Sequence, residues 1–280
     1  MHFLLDKEKF ASEKFDLILL IGQSNAEGFG RGEVADAYEP TGNVMHLTDS
    51  YHVTFEMTPE NEGILHIDEN SAYKIEPAEE TIHPERGILG CFALQFAKKY
   101  YKSYLSSTDR KVMVIRAAVG STGFLRGNWA LDDKLYKRAV EMTDMALSLN
   151  KENRLAAILW HQGESDAIEG RRRGGYDFLY PYYLERFNEL VCDLRKRYGI
   201  LPFIAGAMCR DWTPRIKEAS DAVEDATRAV LSKAGCGAFA ESDGITSNDG
   251  LLKNGDSIHF SRSSLYKLGE RYFELYRKLR

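Results

Sequence analysis

Five short runs of apolar residues, each followed by a stretch where apolar side chains return every three or four positions, set the pattern of the chain. The runs are residues 16–21, 112–115, 155–160, 202–208 and a weaker one at 237–240. None alternates apolar with polar positions. A strand that is apolar on both faces belongs in a parallel sheet covered by helices on each side. The intervening segments 89–105, 135–149, 183–198 and 215–233 carry helical spacing, the first through Leu89, Phe92, Phe96 and Tyr100. The last, 263–279, puts Leu265, Leu268, Tyr272 and Leu275 on one stripe and basic residues in its final turn, where they suit the helix dipole. Alternating strands and helices of this kind predict one α/β domain over residues 1–280, a three-layer α/β/α sandwich on a five-stranded parallel sheet.

Residues 31–84 break the alternation with scattered Gly, Pro, Asn and acidic positions, and read as an irregular insertion lying over the rim of the sheet. The segment holds His46, His52, His66 and His83, whose spacing fits no metal motif and reads as packing or surface histidine. No metal or other cofactor is expected.

Composition narrows the classes. At 280 residues the chain buries enough surface to need no disulfide or metal staple. Lys and Arg number 37 against 42 Asp and Glu, a formal charge of −5, which argues against a nucleic-acid partner because phosphate binding needs a basic surface. No apolar run approaches the ~20 residues that span a bilayer, so no membrane partner is expected. The first nine residues carry charges where the apolar core of a signal peptide would sit, which predicts a cytoplasmic protein. Cys91, Cys192, Cys209 and Cys236 form no C-x-x-C pair, and three of them, beside apolar runs, read as buried reduced thiols.

In an open parallel sheet, ligands bind beyond the carboxyl ends of the strands. There the chain places Gly22-Gln23-Ser24-Asn25 after the first run, Gly120-Ser121-Thr122-Gly123 after the second, and His161-Gln162-Gly163-Glu164-Ser165-Asp166 after the third. Asp256 and His259 follow the fifth, just ahead of the last helix. Ser24 on a tight strand-to-helix turn is either a nucleophile awaiting a base or a helix N-cap. Asp256 and His259, three apart on a loop, can turn to one side, the carboxylate holding the imidazole tautomer while its other nitrogen faces Ser24. The backbone N–H groups of Ser24 and Gly120 and the side-chain amide of Gln162 are available to hold an oxyanion. The stretch from Gly120 to Gly123 also fits a plain turn, and it matches neither a phosphate-binding loop nor the dinucleotide fingerprint.

Together, Gly22-Gln23-Ser24-Asn25, the glycine after the second strand, Trp160-His161-Gln162-Gly163-Glu164-Ser165-Asp166 and Asp256-x-x-His259 resemble the SGNH-hydrolase superfamily, in its sialate O-acetylesterase and acetylxylan-esterase branch. The stretch from Arg86 to Ala93 resembles the Gly-rich entry to that family's second helix, without the Pro-Glu expected inside it. The resemblance implies a flavodoxin-like hydrolase acting on acetyl esters of sugars. By position it makes Ser24 the nucleophile, His259 the base and Asp256 its orienter, with Ser24, Gly120 and Gln162 as the oxyanion hole. Glu164 and Asn25 are candidate supports.

Substrate contacts are less marked. Gln23, Arg126 and Arg172 are candidates, the arginines for a carboxylate such as that of a sialic acid. Trp129 suits either a pocket rim or the core. The expected partner is a small acetylated carbohydrate. The same apparatus serves a thioesterase or other acyl hydrolase, and a catalytically silent sugar binder or a flavodoxin-type cofactor binder shares the fold.

Overall fold

The computed structural model describes residues 7–34, 38–49, 53–57, 63–67, 73–80 and 90–280. A short helix α1 (Lys7–Phe10) leads into β1 (Lys14–Gly22), and the one-turn helix α2 (Ser24–Glu27) follows directly. Four strands come next: β2 (Val44–Asp49), β3 (Val53–Met57), β4 (Gly63–Ile67) and β5 (Tyr73–Pro77). Helix α3 (Phe92–Tyr100) runs on into a π-helical turn, Tyr101–Leu105, ahead of β6 (Arg110–Arg116) and α4 (Lys134–Ser148). Then come β7 (Arg154–His161), α5 (Glu164–Arg172), α6 (Gly175–Tyr198) and β8 (Phe203–Gly206). The chain ends with α7 (Lys217–Lys233), β9 (Gly237–Ala240), α8 (Asn248–Leu252) and α9 (Arg262–Leu279).

The five strands expected from the apolar runs are β1, β6, β7, β8 and β9, and their order in space, β6-β1-β7-β8-β9, is the doubly wound order in which the first strand sits between the second and third. All their pairings are parallel. Among the described residues the sheet nevertheless has seven strands, not five, because β2 joins β6 in parallel and β5 closes that edge antiparallel to β2. Segment 31–84 is therefore not simply an irregular rim. Two of its strands extend the sheet, and β3 and β4 pair with each other. The pattern hid β2 because its inward positions include His46 and Thr48, polar residues that are nonetheless buried. Burial, with Arg116 adding to it, pushes His46 well below the ordinary imidazole range, so it is a neutral packing residue. His52, His83 and residues 86–89 lie outside the described residues, as does the side chain of His66.

Strand β1 explains the two apolar faces. Phe15, Leu17, Leu19 and Ile21 point into one core layer with side chains of α4, α6 and α7, while Ile18 and Leu20 point into the other with α3 and α9. Each such side chain gains roughly 1.5–3 kcal/mol by leaving water. Helix α6 begins eight residues earlier than its apolar spacing indicated and accommodates Pro181 in its second turn. Cys91 and Cys209 are buried thiols, Cys236 is half-buried and Cys192 is exposed.

One charge interrupts β1. Asp16 is fully buried and accepts bonds from Arg154 Nε and Nη2, Arg110 Nε and Tyr100 Oη at 2.6–2.9 Å, tying β1, β6, β7 and α3 together at the amino edge of the sheet. Burial works to raise its pKa, but the bonds from Arg154, Tyr100 and Arg110 outweigh it and hold the carboxyl below its ordinary value. Asp16→Ala should cost about 3–5 kcal/mol in urea unfolding, since it strands buried donors and a guanidinium. A carboxyl with a lowered folded pKa stabilises above its unfolded pKa and loses that contribution as pH falls through the folded one. The variant should therefore show a flatter loss of stability below about pH 4 than the parent.

Candidate active site

The carboxyl end of β1 turns sharply into α2. Gly22 has φ +129°, and a Cβ there would stand 2.1 Å from the carbonyl oxygen of His161, so only glycine fits between the ends of β1 and β7. The backbone N–H of Gln23 then donates to that same carbonyl at 2.9 Å, and Ser24 opens the helix with its side chain almost buried. Its Oγ lies 2.9 Å from Nε2 of His259. On the far side of the ring, Nδ1 is 3.0 Å from both carboxylate oxygens of Asp256. Half-burial works to raise Asp256, but its bonds with His259 and Asn248 prevail and bring it down to about 2. An ionised Asp256 keeps the imidazole proton on Nδ1 and leaves the Nε2 lone pair facing the serine hydroxyl.

Two buried amides fix the loop that carries His259. Asn25 donates from Nδ2 to the carbonyl of Ile258 at 3.2 Å and accepts at Oδ1 from the N–H of Phe260 at 3.0 Å, so it clasps the residues on both sides of the histidine. Asn248 donates to Asp256 Oδ2 at 2.8 Å and to the carbonyl of Phe29 at 3.0 Å. The Phe29 ring stacks on the His259 ring, 5.2 Å between centroids with planes 23° apart. Nothing in the sequence pattern marked Asn248 or Phe29. The spacing of Asn25 next to Ser24 did mark Asn25, though not this clasp.

Behind the serine lies a buried acid. Glu164 accepts from Asn25 Nδ2 at 2.7 Å, and its other oxygen has no hydrogen-bond partner among the described residues. Nε2 of His161, 3.8 Å from the oxygen that Asn25 engages, is equally unpartnered among them. Burial raises the Glu164 carboxyl and depresses the His161 imidazole to about 3, which favours two neutral side chains.

On the other side of Ser24, the N–H of Gly120 points at the site and donates to Glu27 Oε2 at 2.6 Å. Gln162 does not share this task. Its Nε2 donates to Asp166 Oδ2 at 2.7 Å and reaches Gln23 Oε1 and the Thr122 carbonyl at 3.2 Å, while its Oε1 accepts from Tyr183 at 2.8 Å. The expected third oxyanion donor is thus turned inward as a brace between loops. Asp166 anchors it, accepting also from the N–H groups of Phe124 and Leu125, and burial lifts its pKa to about 6 against those bonds.

A family model described as carbohydrate esterase, sialic acid-specific acetylesterase (SASA) matches residues 14–278. The chain belongs to the SASA family. It is a carboxylic ester hydrolase of the carbohydrate acetylesterase group. A search of the curated proteins finds no match to this SASA chain. Among solved structures it is similar to NanS, with 20% identity, a TM-score of 0.67 and coverage of 95% of this chain and 97% of that one. It is also similar to a carbohydrate acetylesterase from Xanthomonas citri, at 14% identity and TM-score 0.60, covering 94% of this chain and 56% of that one. A protein from Parabacteroides merdae described as a putative GDSL-like lipase aligns at 10% identity and TM-score 0.50, over 95% and 97% of the two chains. At these identities the likenesses establish the fold.

The substrate-contact candidates of this SASA protein differ in their surroundings. Trp129 is fully buried, its Nε1 donating to Thr122 Oγ1 and its ring packed edge-on against Trp160, so it belongs to the core and not to a rim. Gln23 is buried too, its Oε1 accepting from the N–H of Ser165 at 3.2 Å. Arg126 pairs with Glu169 at 3.0 Å and donates to the Ser121 carbonyl. Arg172 is exposed at the far end of α5, roughly 12 Å along the helix from Glu164. No helix among the described residues is long and apolar enough to cross a membrane, and no group of three or more His, Cys, Asp or Glu among them is placed to hold a metal ion.

Removing the clasp should loosen the histidine loop. Asn25→Ala is expected to speed amide hydrogen exchange at Phe260 and its neighbours by at least about tenfold, with exchange in β6 and β8 unchanged, as read by mass spectrometry or NMR.

Proposed function

We propose that this SASA-family chain removes acetyl groups from a carbohydrate through an acyl-enzyme on Ser24. The observation that carries the reading is the line of contacts Ser24 Oγ, His259 ring, Asp256 carboxylate, 2.9 Å on one side and 3.0 Å on the other. His259 takes the hydroxyl proton as Oγ attacks the acetyl carbonyl, and the new oxyanion is met by the N–H groups of Ser24 and Gly120. His259 then returns the proton to the departing sugar hydroxyl. A water molecule, activated by the same imidazole, releases acetate and restores the serine. Asp256 holds the Nδ1 proton and balances the imidazolium while it exists. The family description supports acetylated sialic acid as the substrate class.

Three measurements test this. Ser24→Ala should lose at least about 10⁴-fold in kcat on 4-nitrophenyl acetate and all labelling by a fluorophosphonate probe. Asp256→Asn should fall by about 10⁴-fold, because an amide allows the wrong imidazole tautomer. An acyl series from acetate through butyrate to octanoate should favour acetate, whereas a preference for octanoate would make the chain a lipase-like hydrolase. Undiminished turnover by the Ser24→Ala protein would end the reading altogether.

A further inference from the structure

Glu27 is not among the residues assigned to the reaction above, yet it stands inside the site. It closes the single turn of α2, three positions after Ser24, so both side chains leave the same face of the helix. Its Oε2 accepts from the N–H of Gly120 at 2.6 Å, a short, charge-assisted bond. A Cβ placed on Gly120 would lie 2.9 Å from that oxygen, 3.5 Å from Ser24 Cβ and 3.6 Å from Phe29 Cε2, so carboxylate, serine and ring converge on one small space. The Gly120 N–H is the donor that the acyl-transfer reading gives to the oxyanion. One N–H cannot serve two negative oxygens, and two unit charges a few ångströms apart repel strongly wherever water is partly excluded.

We propose that the Glu27 carboxylate is an internal competitor for the oxyanion donor, resting on Gly120 N–H until a substrate displaces it. The proposal rests on the roles given above to Ser24 and Gly120. It makes Glu27 a specificity-determining residue. A small ester with little to bind must bear the whole cost of displacement, whereas a sugar ester offsets it with contacts remote from the reacting carbonyl. The side chain closes a one-turn helix and is only partly buried.

The test is kcat/KM on 4-nitrophenyl acetate and the rate of fluorophosphonate labelling, measured for the parent, Glu27→Ala and Glu27→Gln, with melting temperatures recorded alongside. If the open state is populated at 10% or less, Glu27→Ala should gain about tenfold or more in both rates. Glu27→Gln keeps an uncharged acceptor and should fall between. The gain should be smaller on an acetylated sugar than on the aryl ester. Labelling of Glu27→Ala where the parent labels poorly would be the strongest form of the same result. Equal or lower rates in both variants would overturn the proposal and make Glu27 a strut for the Gly120 loop. If Glu27→Ala fails to melt cooperatively, Glu27→Gln decides by the same criterion. Parent protein that turns over normally with no gain in the variants removes this proposal alone; no labelling of Ser24 in any of the three removes the esterase reading, and this with it.

Discussion

Ser24 and His259 are 235 positions apart, and the bond between them cannot set its own geometry. A hydroxyl–imidazole contact contributes about 1 kcal/mol net, far less than the entropy of ordering two loops around it. The order comes from Asn25. Its amide is buried, so each of its polar atoms must be satisfied inside the protein. It meets that demand with the carbonyl before His259, the N–H after it, and Glu164 at the head of α5. One side chain next to Ser24 thereby registers the end of β1 against the loop ahead of α9 and against the end of β7. Asn248 does the same from the other side, joining Asp256 to the segment that carries Phe29.

The same requirement explains the protonation states around the site. Glu164 and His161 are buried side by side, and an ionised carboxylate there would need a cation that the described residues do not bring to hydrogen-bond distance. Neutral side chains avoid that penalty. The carboxylate that faces the His259 ring directly is Asp256, whose bonds with His259 and Asn248 bring it down to about 2, whereas burial raises the Glu164 carboxyl above its ordinary value.

What the sequence disclosed follows from what burial does to composition. β1, β6, β7, β8 and β9 were legible because each carries a run of apolar positions, from Leu17 to Ile21 in β1 beyond the buried Asp16, and more weakly in the half-buried β9. β2 was not, because His46 and Thr48 are buried polar residues that break the apolar run. Short motifs at strand ends marked Ser24, Gly120, Asp256 and His259, since topology fixes where strand ends meet. They could not tell which way a side chain turns there. Gln162 and Trp129 stand at the expected places along the chain but point into the protein, one captured by Asp166 and Tyr183, the other by Thr122 and Trp160. Glu27 was readable in principle, as an acid one helical turn from a candidate nucleophile, but its meaning depends on a loop 93 positions away.

With the Gln162 amide engaged elsewhere, the proposed anion site rests on main-chain donors, and their spacing is a property of the sheet. The β1–β6 ladder continues past the end of β6: Ala117 N–H donates to the Leu20 carbonyl and Val119 N–H to that of Gly22, each at 3.0 Å. Gly120 is the next residue, so its N–H is held beside the turn that presents Ser24. On the opposite edge of β1, Gln23 N–H bonds to His161 and fixes the same turn from the other side. Donors built this way need no reorganisation as charge develops, which is the condition under which electrostatic stabilisation is most effective. They also cannot rotate out of reach of a nearby anion. A backbone N–H aimed permanently at an oxyanion position will hold any oxygen that can get there, and the carboxylate one turn beyond the serine is already within its reach.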